Sequence, residues 1–506
     1  MPVNYLSLEN FQAIRDRVRI PIRPLTYFFG PNSVGKSAIW DALWMLQDIF
    51  LNGGRETSNK WSSWAFRSGR DTTAAPPFIY LSFEGNFALW RSSGGDERLP
   101  AALFDAVDEC LRRDVNLTVC LTLSTDDLAS EAIEKLEVFF DRVRILQIRR
   151  VDDDHLGSWS TYMLTLNKDF MVPLQGIVDD MGYDSASDET WQCEVTVDSV
   201  ARHFRLEVGL YNNVADRSVD NLLVVLATSL LQYIPWTEIR PDSVRPDRGV
   251  ITDESALYFP DVMLGGGQHG AKIDPAFDAI AKSIERTSMP TPSFFNFEGA
   301  LRKARGGPPD AEEALPLHDL VNHGLLDLFR DNGYQVVWSA QKLVSFENDE
   351  PVGLIVQLSL VDQQGRRFSF SDVGSGVSCV IPVLVGIHSL STFFQQPELH
   401  LHPAMQCSLA DVFVERVQDK SVRHILETHS EYMLLRPLRR IRETHTGKLQ
   451  ATNLSLRPSD VAVLYFEPMN DGATRVTEIV VNEYGDFLTP WPRGFFDERA
   501  SELFDE

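Results

Sequence analysis

The chain has 506 residues, 43% hydrophobic and 24% charged, the balance of an ordinary soluble protein whose length predicts two or three domains rather than one core. Its 47 basic and 72 acidic residues leave a formal charge of -25, which argues against coating nucleic acid by bulk electrostatics and confines any such contact to a local patch. No apolar run is long enough to span a bilayer, the first residues lack signal-peptide blocks, and five scattered cysteines form no C-x-x-C pair, so the expectation is a cytoplasmic protein without disulfide framework or zinc module.

Period-two apolar runs predict strands over 4–10, 18–22 and 25–29. Immediately after them, Gly30, Pro31, Asn32, Ser33, Val34, Gly35, Lys36 and Ser37 spell a complete G-x-x-x-x-G-K-S phosphate loop, and an amphipathic helix is expected over 38–50. Strand, glycine loop and helix in that order place backbone N–H groups and the positive end of a helix around a polyphosphate. The residue types then assign ATP as the ligand, with Lys36 reaching the β and γ phosphates and the Ser37 hydroxyl ligating Mg²⁺.

Residues 51–77 are polar and read as a loop. Strand-like runs at 79–83, 117–123, 143–148, 162–166 and 205–210 predict an antiparallel sheet. Helical patterns follow at 221–233, 277–286 and 318–332, broken by a Gly-Pro stretch at 304–309, and strands return at 352–360 and 367–370. No heptad repeat is sustained, which weighs against a long coiled-coil arm. Two arginine groups are candidate nucleic-acid patches: Arg142, Arg144, Arg149 and Arg150 in one strand-like stretch, and Arg436, Arg439, Arg440 and Arg442 in another. Solvated surface charge is the commoner explanation of such clusters.

A small-residue turn at 371–378, containing Gly374, Ser375 and Gly376, feeds an apolar helix expected over 379–388, a second device for holding an anion. Gln395, Gln396, Pro397 and Glu398 then end an apolar run and lead into Leu399, His400, Leu401, His402 and Pro403, and a further strand ends in Thr428, His429 and Ser430. In this ordered set of four motifs the chain resembles the ABC-type branch of P-loop ATPases, especially the OLD-like AAA ATPases of bacterial anti-phage systems, with the Septu and PARIS ATPases both compatible.

The resemblance implies an α/β ABC-type P-loop domain split by a large strand-rich and helical insertion, with a small β-rich box at the C-terminal end. It sets an ATPase lobe at 1–77, the insertion at 78–345, a second lobe at 346–445 and the box at 446–506. It also implies that Gly374, Ser375 and Gly376 form a signature turn reaching the γ-phosphate held by a partner subunit, and that His429 is a switch histidine sensing that phosphate. His400 and His402 invite a metal reading, set aside because relatives use this string as a structural and dimer-contact turn and no further ligand pair is near.

The departure lies at Gln395 and Gln396. Relatives carry a carboxylate at the first position, holding Mg²⁺ and its water, and Glu or Gln at the second. An amide keeps the shape without the charge, so metal organisation and water activation should weaken. Two explanations stay open: natural divergence with Glu398 as the surviving carboxylate, or an engineered Glu→Gln change at Gln395 that traps ATP. The implied function is an ATP-binding and hydrolysing sensor or motor that pairs as a homodimer or larger even-numbered oligomer and controls a separately encoded effector, with no nuclease domain expected after His429. A nucleotide-locked scaffold with little turnover and a DNA-repair ABC ATPase are the alternatives. The aromatic stretch from Trp491 to Phe496 reads as a packing clamp.

Overall fold

The computed structural model describes residues 3–52, 60–66, 78–89, 114–124, 133–151, 159–169, 190–198, scattered positions between 223 and 244, 256–260, 328, 334–344, 351–369, 372–388, 391–449 and 451–492. The chain divides into two compact units, the first comprising Met1–Pro241, Ala462–Ile479 and Pro490–Phe495, the second Asp242–Val461, Val480–Thr489 and Phe496–Glu506.

The first unit opens with β1 (Val3–Glu9), β2 (Val18–Pro21) and β3 (Leu25–Phe29), followed by α1 (Ala38–Asn52) and a single helical turn, α2 (Trp61–Trp64). Five buried side chains in a row mark β3 as a central strand covered on both faces. Six longer strands follow: β4 (Phe78–Ala88), β5 (Asp114–Ser124), β6 (Ile133–Phe140), β7 (Val143–Arg150), β8 (Trp159–Asn167) and β9 (Thr190–Asp198). They join β1 and β2 in one antiparallel sheet ordered β2-β1-β4-β5-β6-β7-β8-β9. Period-two burial in β5 puts Val115, Leu117, Val119, Leu121 and Leu123 inside, and the register hands the same face to Leu136 and Val138 of β6. Since β4 pairs along β1, the sheet runs unbroken across the position between residues 77 and 78.

Sequence periodicity found parts of β4, β5, β7 and β8 and missed β6 and β9. The alternation in β6 is diluted by the charged run Glu134 and Lys135, whose charges the structure places in ion pairs with Arg150 and Glu137. Expected elements at 205–210 and 277–286 lie outside the described residues, as does 318–332 except Leu328.

The second unit carries β10 (Asp242–Val244), β15 (Ser391–Gln395) and β16 (Arg423–Glu427) as neighbouring parallel strands. Between β10 and β15 in sequence, β11 (Ala256–Pro260), β12 (Tyr334–Val344), β13 (Pro351–Asp362) and β14 (Arg367–Phe368) form a separate antiparallel sheet around β13. Its helices are α3 (Ser375–Ile387), α4 (Pro403–Arg416) and α5 (Glu431–His445). The hairpin of β17 (Val461–Pro468) and β18 (Thr474–Glu478) returns the chain to the first unit, where β17 lies beside β3. The α/β architecture with a strand-rich segment between its two parts is the one expected; no helix of the described residues is long and apolar enough to cross a membrane.

Helix α3 begins four residues earlier than its composition predicts, so Ser375 and Gly376 occupy its first turn instead of preceding it. The arginines at 436–442 sit on α5, not on a strand. Pro437 masks that helix in the sequence, because proline removes a backbone donor from a helix interior. Their charges are largely matched: Arg436 and Arg440 pair with Asp411, Arg439 and Arg440 with Glu443, and Arg442 with Asp486. In the other group Arg144 pairs with Glu137, Arg150 with Glu134, and Arg142 sits with Asp141 at the tight turn between β6 and β7, both with positive φ.

His424 lies in the core of the second unit, edge-on to the rings of Phe394 and Phe413, its Nε2 3.1 Å from the Ile387 carbonyl at the end of α3. Burial pushes its pKa down from 6.5 to about 3. The unfolded chain therefore takes up a proton at His424 as pH falls below 6.5 while the folded chain resists it, so stability should decline toward acid by about 2 kcal/mol between pH 6.5 and 5 from this group alone. Urea midpoints at pH 7 and pH 5 should show that decline in the wild type and a shallower one in His424→Phe; equal slopes would contradict the assignment.

Candidate functional site

The phosphate loop is built by backbone constraint. Gly30 has φ +137°, and a Cβ there would stand 2.3 Å from the Phe466 carbonyl oxygen of β17, so no other residue fits. Ser33 and Gly35 also have positive φ, 63° and 84°, and a Cβ on Gly35 would meet that of Ala13 at 2.9 Å. Alternating backbone handedness of this kind curls consecutive N–H groups toward one side, the geometry of an anion nest. The loop passes directly into α1 through Ala38 N–H to the Gly35 carbonyl at 3.1 Å and Asp41 N–H to the Ser37 carbonyl at 3.1 Å.

Lys36 is only 3% exposed, and its ammonium donates to the carbonyls of Gly30 at 3.1 Å and Pro31 at 2.7 Å. Those bonds fold the cation over the mouth of the loop. Pro31, Asn32, Ser33 and Ser37 are exposed. Two glycines that admit no side chain, a cation held at the loop and an exposed serine at the helix start suit the di- or triphosphate of a nucleotide with its Mg²⁺.

The remaining motif residues gather in the second unit. Parallel pairing of β15 with β16 sets Gln395 opposite Glu427, and the Gln395 amide donates to the Glu427 carboxylate at 3.3 Å. Gln396 turns the chain with φ 49°, its N–H bonded to the Glu427 carbonyl at 2.7 Å. Glu398, 9% exposed, accepts the His429 N–H at 3.2 Å, and His429 is an exposed residue. Ser430 caps α5 by accepting the Met433 N–H at 3.2 Å and donates to Gln406 of α4 at 2.5 Å. The strand ends, Glu398 and the backbone of His429 are thereby fixed to one another.

Gly374 and Ser375 are exposed, whereas Gly376 packs under the turn at residues 396–402: a Cβ on it would lie 2.8 Å from the His400 carbonyl oxygen. His400 takes φ 65°, and His402 caps α4 with Nδ1 accepting the Ala404 N–H at 3.3 Å. The His-x-His string thus shapes a turn and starts a helix. Sequence reasoning passed over Glu427, which reads only as the last residue of a strand; the register of β15 against β16 is what brings its carboxylate to Gln395.

A phosphate loop of this geometry, on a buried strand and entering a helix, defines the α/β P-loop class. Residues 319–434, which contain the second cluster, match the family described as an AAA ATPase domain, and residues 456–505 match a family described as a protein of unknown function, DUF3696. The phosphate loop falls outside both segments. No curated protein matches the chain. Among solved structures it is similar to an Smc head bound to the C-winged helix domain of ScpA, at 12% identity and a TM-score of 0.39 over 95% of this chain and 98% of that one. It is also similar to the SMC head domain from Thermotoga maritima, at 10% identity and a TM-score of 0.38 over 95% and 100%. Scores this low leave the class to the loop and the family match.

The two glycines of the turn should respond oppositely to alanine. Gly374→Ala enters open space and should stay within about 0.5 kcal/mol of the wild type. Gly376→Ala, which in a free helix would gain roughly 1 kcal/mol of propensity, should instead destabilise by about 1–3 kcal/mol as α3 is forced off the His400 carbonyl. Urea midpoints decide this, and a stabilised Gly376→Ala would overturn the packing described.

Proposed function

We propose that the chain binds ATP at Gly30 to Ser37 and hydrolyses it as an ABC-type ATPase, the nucleotide-driven subunit of a bacterial anti-phage complex that controls a separately encoded effector. The observation that carries the ATP reading is the loop itself, where Gly30 and Gly35 exclude side chains and Lys36 is folded onto the loop carbonyls. The defence role and the effector rest on the resemblance of the ordered motifs alone.

Mg²⁺ bound with the triphosphate would neutralise phosphate charge and lower the pKa of an attacking water. In this reading the Ser37 hydroxyl is one ligand. The carboxylate absent at Gln395 would be supplied from the neighbouring strand by Glu427, which accepts from the Gln395 amide at 3.3 Å, and Glu398 holds the backbone of His429 in place. His429 senses the γ-phosphate, and the exposed Gly374 and Ser375 meet the nucleotide of a second copy in a two-fold pair. We further propose the domain limits 1–77, 78–345, 346–445 and 446–506, with the insertion as the surface for effector or trigger.

A second reading, a nucleotide-locked scaffold, is favoured by the two amides at Gln395 and Gln396. Phosphate release separates the two. The wild type should release phosphate from Mg-ATP well above the Lys36→Ala background, and Glu427→Gln should lose about ten- to a hundredfold of that rate. ATP binding with release no faster than Lys36→Ala would favour the scaffold. Separately, Ser375→Arg should abolish ATP-dependent association in light scattering while leaving ATP affinity of the monomer near wild type; unchanged association would exclude the paired site.

A further inference from the structure

The hairpin of β17 and β18 lies inside the segment that matches a family of unknown function, and it holds the phosphate loop at three points. The Phe466 carbonyl lies directly against Gly30. Thr474 donates its backbone N–H to the Ala13 carbonyl at 2.7 Å, and Ala13 is the residue against which Gly35 packs. The third contact is the informative one: the Thr474 hydroxyl, buried, donates to the Val34 carbonyl at 2.7 Å across 440 residues of sequence. Arg15 and Asp471 close the same arrangement with an ion pair at the tip of the hairpin.

A trans peptide plane points its C=O and N–H in opposite directions. Fixing the Val34 carbonyl toward β18 therefore fixes the N–H of Gly35 away from β18. A peptide with glycine on one side and φ near +84° has few other restraints on its orientation, since glycine visits both hands of φ readily. We propose that Thr474 is a positioning residue for nucleotide binding: its hydroxyl sets the Val34–Gly35 peptide so that the Gly35 N–H faces the phosphates, which makes the β17–β18 hairpin a working part of the nucleotide site. This rests on the reading that the loop holds a nucleoside polyphosphate.

Calorimetric titration with Mg-ATP on the full chain tests it, with the melting temperature of each nucleotide-free protein measured alongside. Thr474→Val keeps the β-branched shape and the backbone bond to Ala13 and loses the hydroxyl, so ATP affinity should fall roughly three- to tenfold with little change in melting temperature. Thr474→Ser restores a donor and should return to within about twofold of wild type. If valine impairs folding, Thr474→Ala makes the same comparison. Wild-type affinity in a folded hydroxyl-free variant would overturn the proposal, as would a serine variant as weak as valine. A wild type that binds no Mg-ATP would instead overturn the underlying reading, before any change at Thr474 is made.

Discussion

A backbone forced into left-handed conformations at Gly30, Ser33 and Gly35 is the constraint on which the first unit depends. Such conformations cost free energy wherever a side chain must be accommodated, and they persist only where surrounding structure over-determines them. Here the surroundings are explicit: β3 buried on both faces, a carbonyl of β17 against Gly30, Ala13 against Gly35 and the Thr474 hydroxyl on Val34. Tyr465 and Phe29 add to this by packing edge-on against Trp491, at the start of the C-terminal aromatic stretch. The consequence is a loop whose shape does not wait for a ligand to create it, the condition under which backbone dipoles stabilise charge most effectively.

The second unit solves a different problem, placing charge at the end of a parallel sheet. Strand register alone decides that Gln395 faces Glu427, and the left-handed Gln396 then diverts the chain so that Glu398 reaches back to His429. Two carboxylates side by side at such a position would repel and raise each other's pKa unless a cation lay between them. An amide against a carboxylate avoids that penalty and leaves one charge held in a defined direction.

Legibility in the sequence tracked how local each requirement was. The phosphate loop was visible because its glycines answer to their own φ angles, and β3 because a strand buried on both faces is an unbroken apolar run. The start of α3 was misplaced because glycine and serine are poor helix formers, and only the overlying His400 carbonyl explains why a small residue is needed inside the helix. Glu427 and Thr474 left no signal at all. One depends on the alignment of two parallel strands, the other on a contact spanning 440 residues, and neither distance is encoded in composition or period.

That same span has a consequence for how the protein is made. A ribosome adding about 5–20 residues per second takes roughly 20–90 seconds to travel from Val34 to Thr474. Through that interval β3 lacks its neighbour β17, and the loop lacks the hydroxyl that fixes one of its peptides. Closing so long a chain segment is also among the slower steps available to a fold, because its entropy must be lost before the contacts it enables are formed. The loop should therefore take its final shape only once the hairpin has been made, and a nascent chain interrupted before the hairpin carries the phosphate-loop sequence without the scaffold that shapes it.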